Sequence, residues 1–186
     1  MSAGPLINIQ PNPGWEMLGS TKMAANASSS RIVTIPARDI IRITVLVTGY
    51  GGGDIVSLRF GGTAGAVDSG NNYATAHGEW NTGQIGNQST NLESNTQSLL
   101  RLAASNVTAS RISEVVVSNL TATRKVCNIT TATEWGTATT TPRRTTVGHG
   151  IWSNTANQIV SVQLVTVGGN TLLAGTGFIV EGYNLA

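Results

Sequence analysis

Short apolar stretches alternate with polar residues along much of the chain after residue 30, and this period-two pattern predicts β-strands. In residues 41–47 every second residue is Ile or Val, and Arg42 and Thr44 lie between them. Residues 55–60 alternate in the same way, so we predict that both segments are half-buried strands. The glycine-rich segment 49–54 between them predicts a turn that needs positive φ.

Further strand patterns follow at short intervals, and no segment shows the periodicity of an amphipathic helix. These predicted strands lie at residues 32–35, 98–103, 112–120, 125–129, 158–166 and 177–183. In the segment 158–166, Ser161 and Gln163 alternate with three apolar residues, so we place them on the opposite face. Eight to ten strands separated by turns predict an all-β fold, an antiparallel β-sandwich of the jelly-roll type. We expect it to form a single domain from residue 31 to residue 186.

The first 30 residues differ from the rest and predict an extended N-terminal arm. Pro5, Pro11 and Pro13 remove backbone donors, which suits an extended segment better than a strand. Apolar side chains in this segment would be exposed in an unattached tail, so we expect the arm to dock onto a partner. These side chains are Leu6, Ile7, Ile9, Trp15, Met17 and Leu18.

Residues 61–97 are mostly Gly, Asn, Ser, Thr and Gln, and they predict a long loop with one weak strand near residues 72–76. A loop of this length is usually functional or held by a partner.

No combination of residues predicts a catalytic or metal site. His77 and His149 lie in glycine-flanked segments with no Ser or Cys at a recognisable spacing, so we expect two surface loop histidines. Asp68 and Glu79 are expected to be solvated loop charges rather than metal ligands or a catalytic carboxylate pair. The single Cys127 allows neither an intrachain disulfide nor a cysteine zinc site. We therefore expect a non-enzymatic protein without a metal or other cofactor.

Composition limits the class of partner. Only 11% of the 186 residues are charged, with a net charge of +2, whereas an average domain has roughly 25% charged residues. No basic run is longer than Arg143-Arg144, so we expect no nucleic-acid partner. The longest apolar run, residues 40–47, is too short to span a membrane, and no secretory signal pattern precedes it, so we expect no membrane partner.

Aromatic residues in predicted loops leave two interpretations open. Exposed indoles can stack on sugar rings in a carbohydrate-binding sandwich, or they can pack at subunit contacts, where Trp and Tyr are enriched. The aromatic residues concerned are Trp80, Trp135, Trp152, Tyr50 and Tyr73. We expect the partner-binding residues to be Leu6, Ile7, Ile9, Trp15, Trp80, Trp135 and Trp152.

Two segments resemble small all-β structural proteins of tailed-bacteriophage virions. The first combines residues 39–60, which contain a glycine turn and a Leu-Arg-Phe strand, with residues 61–73. The second, residues 156–182, forms a closing hairpin with an Ala-Gly-Thr-Gly turn. The resemblance covers most of residues 31–186 and has no catalytic signature.

This resemblance implies a jelly-roll module on the capsid surface of a virion, made in the host cytoplasm. It implies a decoration (cement) protein that forms a homotrimer, binds the major capsid protein of the assembled shell and stabilises the shell. We favour the capsid because the chain is short and lacks the heptads of a fibre shaft. The alternative is a carbohydrate-binding or receptor-binding module of a phage tail.

Overall fold

The described part of the chain consists of β-strands and contains no helix. The computed structural model describes residues 14–28, 31–49, 55–81, 89–97, 100–102, 110–134, 143–168 and 170–185. Its strands are β1 (Glu16–Lys22), β2 (Ala27–Ser28), β3 (Arg31–Thr34), β4 (Ile40–Val47), β5 (Val56–Gly61), β6 (Tyr73–Asn81), β7 (Ser89–Gln97), β8 (Leu100–Arg101), β9 (Arg111–Ser118), β10 (Lys125–Glu134), β11 (Arg143–Trp152), β12 (Ser161–Thr166), β13 (Thr171–Leu172) and β14 (Gly177–Tyr183). Within these residues, no helix is available that could cross a membrane.

Two antiparallel sheets make up the body of the fold. One sheet has eight strands in the order β1-β14-β4-β9-β10-β11-β6-β7, and the other has four in the order β3-β12-β5-β8. β2 and β13 form a separate two-stranded pair. The prediction of an all-β antiparallel sandwich is confirmed. The jelly-roll connectivity stays a prediction.

Alternation along the strands determines which side chains form the core. In β4 the four residues predicted to face inward, at positions 41, 43, 45 and 47, are fully buried. Leu46, which points to the other face, is 49% exposed. Ile43 lies opposite Val115 of β9, which in turn lies opposite Ile129 of β10. Because β-branched and aliphatic residues meet across neighbouring strands, this row forms a continuous apolar layer against the four-stranded sheet.

The four-stranded sheet departs from the predicted alternation. Ser161 and Gln163 of β12 do face away from the apolar residues of their strand, but both are buried. The Ser161 hydroxyl donates to the carbonyl of Thr63 and accepts from the amide of Gly65, both at 2.9 Å. The segment containing Thr63 and Gly65 therefore covers part of the outer side of this sheet.

The N-terminal residues require a correction of the predicted arm. Glu16–Lys22 pairs with β14 as an edge strand of the eight-stranded sheet, and Met23 is buried in the core. Gly19 lies where β1 approaches β3, and an added Cβ would come within 2.6 Å of the Val33 side chain. A domain boundary at residue 30 is therefore wrong for residues 14–28. The predicted docking residues Leu6, Ile7 and Ile9 lie outside the described residues.

The predicted loop at 61–97 also requires correction, because it contains the two nine-residue strands β6 and β7. β6 pairs along its whole length with β11, a segment for which the sequence predicts no strand. Backbone hydrogen bonds to long neighbouring strands stabilise β6 and β7, although the alternation of apolar residues in them is weak. Gly150 of β11 leaves room for a core side chain, because an added Cβ would collide with Leu100.

Two buried polar side chains close one end of the sandwich. The Asn119 side-chain amide donates to the carbonyl of Arg38 at 2.8 Å, and its oxygen accepts from the amide of Ile159 at 2.6 Å. The Lys125 ammonium donates to three backbone carbonyls, which belong to Leu120, Thr123 and Asn154. These contacts satisfy buried polar groups that would otherwise destabilise the fold.

Candidate protein-binding surface

The residues predicted to bind a partner fall into three groups. Those outside the described residues are Leu6, Ile7, Ile9 and Trp135, and the loop aromatic Tyr50 also lies there. Trp80 lies in β6, where its backbone pairs with Thr145, and the structure does not describe its side chain. Trp152 is buried, and Trp15 is partly exposed. Only Trp15 is therefore placed where a partner could contact it.

Trp152 is a core residue, which corrects its assignment to partner binding. Its indole is fully buried and stacks on Tyr73, with the ring centroids 6.4 Å apart. Phe60 packs edge-on against the same indole at 6.0 Å. Since Tyr73 is also buried, neither ring of this pair can stack on a sugar.

Asp68 holds the loop in front of this aromatic cluster, and it is not the solvated loop charge that we expected. Its carboxylate accepts from the indole Nε1 of Trp152 at 2.9 Å, from Asn72 Nδ2 at 2.8 Å and from the amide of Gly70 at 2.8 Å. Burial raises the pKa of Asp68, but these hydrogen bonds outweigh it and bring the pKa below its usual value. Asp68 is therefore a structural anion.

His77 is buried in β6 rather than exposed in a loop, which corrects the prediction for this residue. Its Nε2 lies 3.0 Å from the carbonyl of Arg101, so Nε2 carries the hydrogen and Nδ1 is the bare acceptor. Nδ1 has no hydrogen-bond partner among the described residues. Burial lowers the pKa of His77 to about 4. His149 is exposed, but it also lies in a strand, β11.

The described residues do not bring a set of metal-binding groups together. No three His, Cys, Asp or Glu side chains in this part of the chain are close enough to hold a metal ion. Cys127 is fully buried, and burial raises the pKa of its thiol, so the reactive thiolate does not form there.

The outward side of the eight-stranded sheet, here called the outer face, carries exposed aliphatic side chains. Leu46 in β4 lies directly opposite Ile112 in β9, which lies opposite Ala132 in β10. The exposed aliphatic residues of this face are Leu46, Ile112, Val126, Val147 and Ile179, each between 41% and 51% exposed. Neighbouring apolar side chains of this kind mark interaction surfaces more often than scattered ones do.

On the part of the outer face formed by β1, β14, β4 and β9, the described charged side chains are few and balanced. On β1, β14, β4 and β9, the outward charged side chains are Lys22, Arg42, Glu114 and Glu181. Arg42 forms an ion pair with Glu181 at 2.8 Å. A contact on this face would thus depend mainly on apolar and neutral groups, and added salt would change its strength little.

The Trp15 cluster, made of Trp15, Met17, Arg42, Glu181 and Tyr183, lies at one end of the outer face. The Trp15 ring packs edge-on against Tyr183 at 4.9 Å, and the Arg42 guanidinium lies 4.4 Å from the centre of the indole. Met17 is 67% exposed. Trp, Tyr and Arg are the residues that dominate binding energy at protein interfaces, and Met is also enriched there.

A groove of about 330 Å³ opens at the other end of the outer face. Gly177 of β14 lies between Lys22 of β1 and Leu46 of β4, and β1 approaches it so closely that an added Cβ would collide with the backbone of Thr21. The groove is lined by Ser20, Thr21, Lys22, Thr44, Leu46, Gly175, Gly177, Phe178 and Ile179. Its volume is at the lower end of the ~300–1,000 Å³ range of ligand-binding clefts.

Sequence reasoning missed the outer face because it treated the outward residues of each strand as polar. The signal was present in two runs, Val-Leu-Val at residues 45–47 and Val-Val-Val at residues 115–117. Adjacent residues of a strand point to opposite faces, so such runs place apolar side chains on both faces.

Comparisons with protein-family models, with curated proteins and with solved structures found no match for this chain.

Proposed function

We propose that this protein is a non-enzymatic virion structural protein, a capsid decoration protein that binds the assembled shell of a tailed bacteriophage and stabilises it. The observation that carries the proposal is the partly exposed Trp15 cluster on an uncovered, nearly uncharged sheet face. The resemblance of residues 39–73 and 156–182 to phage structural proteins supplies the class of partner.

The Trp15 cluster has the physical properties of a contact site. The indole is already held by Tyr183 and Arg42, so little conformational entropy is lost when a partner covers it. Arg42 is neutralised by Glu181, so burying the cluster does not leave an unpaired charge. We therefore assign the contact with the major capsid protein to this cluster.

The low charge of the chain also fits binding to an assembled shell. A protein that binds the assembled shell and not the separated subunits adds its binding free energy to the stability of the shell. We propose that it acts on the capsid surface after synthesis in the host cytoplasm, and that it needs no cofactor. The resemblance implies a homotrimer, which light scattering on the purified protein can measure.

A binding experiment with matched variants tests this proposal. Phage particles produced without this chain are mixed with purified protein, and bound copies are counted by quantitative mass spectrometry. We expect saturable binding at hundreds of copies per particle. Trp15→Ala should weaken binding by about 30-fold, the effect of losing roughly 2 kcal/mol at a hot spot. The control Val167→Ala, in an exposed turn that follows the four-stranded sheet, should bind normally.

Salt provides a second measurement in the same assay. Raising the salt from ~0.1 M to ~1 M shortens the Debye length from ~10 Å to ~3 Å, and we expect occupancy to stay nearly constant. No binding to the shell, or normal binding of the Trp15→Ala variant, would contradict the proposal. A few tens of copies at the tail, with glycan binding through Trp80 or Trp135, would support the receptor-binding alternative instead.

A further inference from the structure

We infer that β1 accepts an extended segment of the major capsid protein as an added strand, through the backbone of Ser20 and Lys22. This inference rests on the proposed function and deepens it, because it names the element of the partner that is bound and a second contact beside the Trp15 cluster. In strand addition, main-chain hydrogen bonds supply affinity, and the side chains along the edge supply specificity.

β1 forms one edge of the eight-stranded sheet. Among the described strands only β14 pairs with it, and none of its seven residues is buried. β3 approaches β1 from the core side, at Gly19, which lies opposite the buried Val180. The side of β1 that faces away from β14 therefore presents backbone donors and acceptors, which are a template for another strand.

The hydrogen bonds next to β1 show which of its residues face the open edge. The amide of Met23 donates to the carbonyl of Thr176, and its carbonyl accepts from the amide of Gly175, both at 2.8 Å. Both backbone groups of Met23 thus point towards the β14 side. Because the backbone groups of successive residues in a strand point to alternate sides, those of Lys22 and Ser20 point away from β14. They offer a partner two donors and two acceptors.

The other described edges suit this role less well. β3 and β8, at the edges of the four-stranded sheet, have four residues and two residues, and short edge strands are one means of preventing pairing. β7 is seven strand spacings from β1, roughly 34 Å, so a segment bound there could not also lie beside the Trp15 cluster. Within β1, the register shift between Met17 and Gly19 limits regular pairing to residues 19–22.

Lys22 determines the charge that the added segment must carry. It is exposed, and it forms no ion pair with another residue in the part of the chain that the structure describes. On its own strand, Glu16 is paired with Arg38. On β14, Glu181 is paired with Arg42. Since opposite charges stabilise a cross-strand pair and an edge lysine disfavours basic strands, we expect Asp or Glu opposite Lys22.

The position of this edge fits a segment that also covers the Trp15 cluster. Trp15, directly before β1, and Lys22, at its end, are seven residues apart, a distance of roughly 23 Å that about seven extended residues span. Ser20 lines the groove and lies opposite Ile179, which is 45% exposed. Because the serine side chain is short, a long apolar side chain on its free flank can reach this isoleucine. We therefore expect an apolar residue two positions from the acid.

Hydrogen exchange read at single amides by mass spectrometry tests the added strand directly. The full-length protein is labelled free in solution and bound to phage particles that were produced without it. In the free protein, the amides of Ser20 and Lys22 should exchange faster than that of Thr21, which points towards β14. On the particle, exchange at Ser20 and Lys22 should slow at least about tenfold, whereas a contact through the Trp15 cluster alone would leave it unchanged.

Matched variants separate the backbone contact from the side chains in the shell-binding assay. Ser20→Pro removes the outward N–H, at an edge position where proline is tolerated, and should weaken binding at least about tenfold. Ser20→Ala keeps the amide and should bind like the wild type. Lys22→Glu should weaken binding, and Lys22→Arg should not. Urea unfolding of each variant establishes that it is folded.

The outcomes distinguish this inference from the proposed function. Unchanged exchange at Ser20 and Lys22 on particles that bind the protein would overturn the added strand alone, as would normal binding by Ser20→Pro. Slow exchange at both amides in the free monomer would overturn it too, because another part of the chain would then occupy the edge. The same holds if protection appears when the protein forms trimers without particles. Particles that bind no wild-type protein would overturn both proposals.

Discussion

Because His77 is buried, we expect acid to lower the free energy of unfolding, and the magnitude of this loss follows from the structure. The imidazole is 2% exposed, and burial lowers its pKa to about 4 from the 6.5 of the unfolded chain. The proton would enter at Nδ1, which has no partner among the described residues. The unfolded chain therefore takes up the proton first as the pH falls.

The free energy of unfolding depends on pH because His77 has different pKa values in the folded and unfolded states. Between pH 6.5 and pH 4 the unfolded state binds more protons, so the free energy of unfolding falls as the pH falls through this range. Using 1.36 kcal/mol per pKa unit, His77 lowers stability by about 2 kcal/mol at pH 5 and by about 3 kcal/mol at pH 4. Below pH 4 the folded state is protonated too, and the effect levels off.

Urea unfolding at pH 7.5, 5 and 4 measures this effect when the wild type is compared with His77→Gln. At each pH, subtracting the free energy of unfolding of the wild type from that of the variant cancels the contribution of the carboxylates, because both proteins share them. We expect the variant to lose about 3 kcal/mol less stability than the wild type between pH 7.5 and pH 4. His149→Gln, in the exposed position of the neighbouring strand, should behave like the wild type. Identical pH profiles for His77→Gln and wild type would refute this reasoning.

Four further substitutions test the interior. Trp152→Phe removes the hydrogen bond to Asp68 and part of a buried ring, so calorimetry should show about 3 kcal/mol lower stability. Lys125→Met removes the buried ammonium that donates to three backbone carbonyls and should cost about 2 kcal/mol in urea unfolding. Gly148→Ala would force a Cβ against the backbone carbonyl of Ala76, whereas the Cβ of Gly150→Ala meets mainly the movable side chain of Leu100. The first should therefore lower the melting temperature more than the second, and the reverse order would contradict the packing described here.

The sequence predicted those strands whose two faces differ in polarity. β4, β5, β9 and β14 lie close to their predicted positions because alternating apolar residues face a common core. β7 and β11 were missed, and β6 was predicted only as a weak strand near residues 72–76, because Gly, Thr, Asn and Ser weaken the alternation and long backbone ladders hold the strands instead.

β1 was missed for a different reason. It has only one neighbouring strand, a register shift between Met17 and Gly19 interrupts its ladder, and much of its surface is exposed. Local sequence therefore resembles an extended arm, and only pairing with β14 makes it a strand.

The candidate site was predicted in part. Trp15 was expected to contact a partner because it is an aromatic residue in a segment without a strand pattern. The burial of Trp152 depends on tertiary packing, which cannot be read from spacing along the chain.

Photocrosslinking on intact particles tests the central claim most directly, because it reports location, partner and contact surface together. A benzophenone residue replaces Met17, which is 67% exposed beside Trp15, or Val167 as a control at the other end of the molecule. We expect the Met17 probe to crosslink to the major capsid protein in high yield, and the Val167 probe to give little product. Crosslinks only to tail proteins, equal yields from both positions, or absence of the protein from particles would contradict the account.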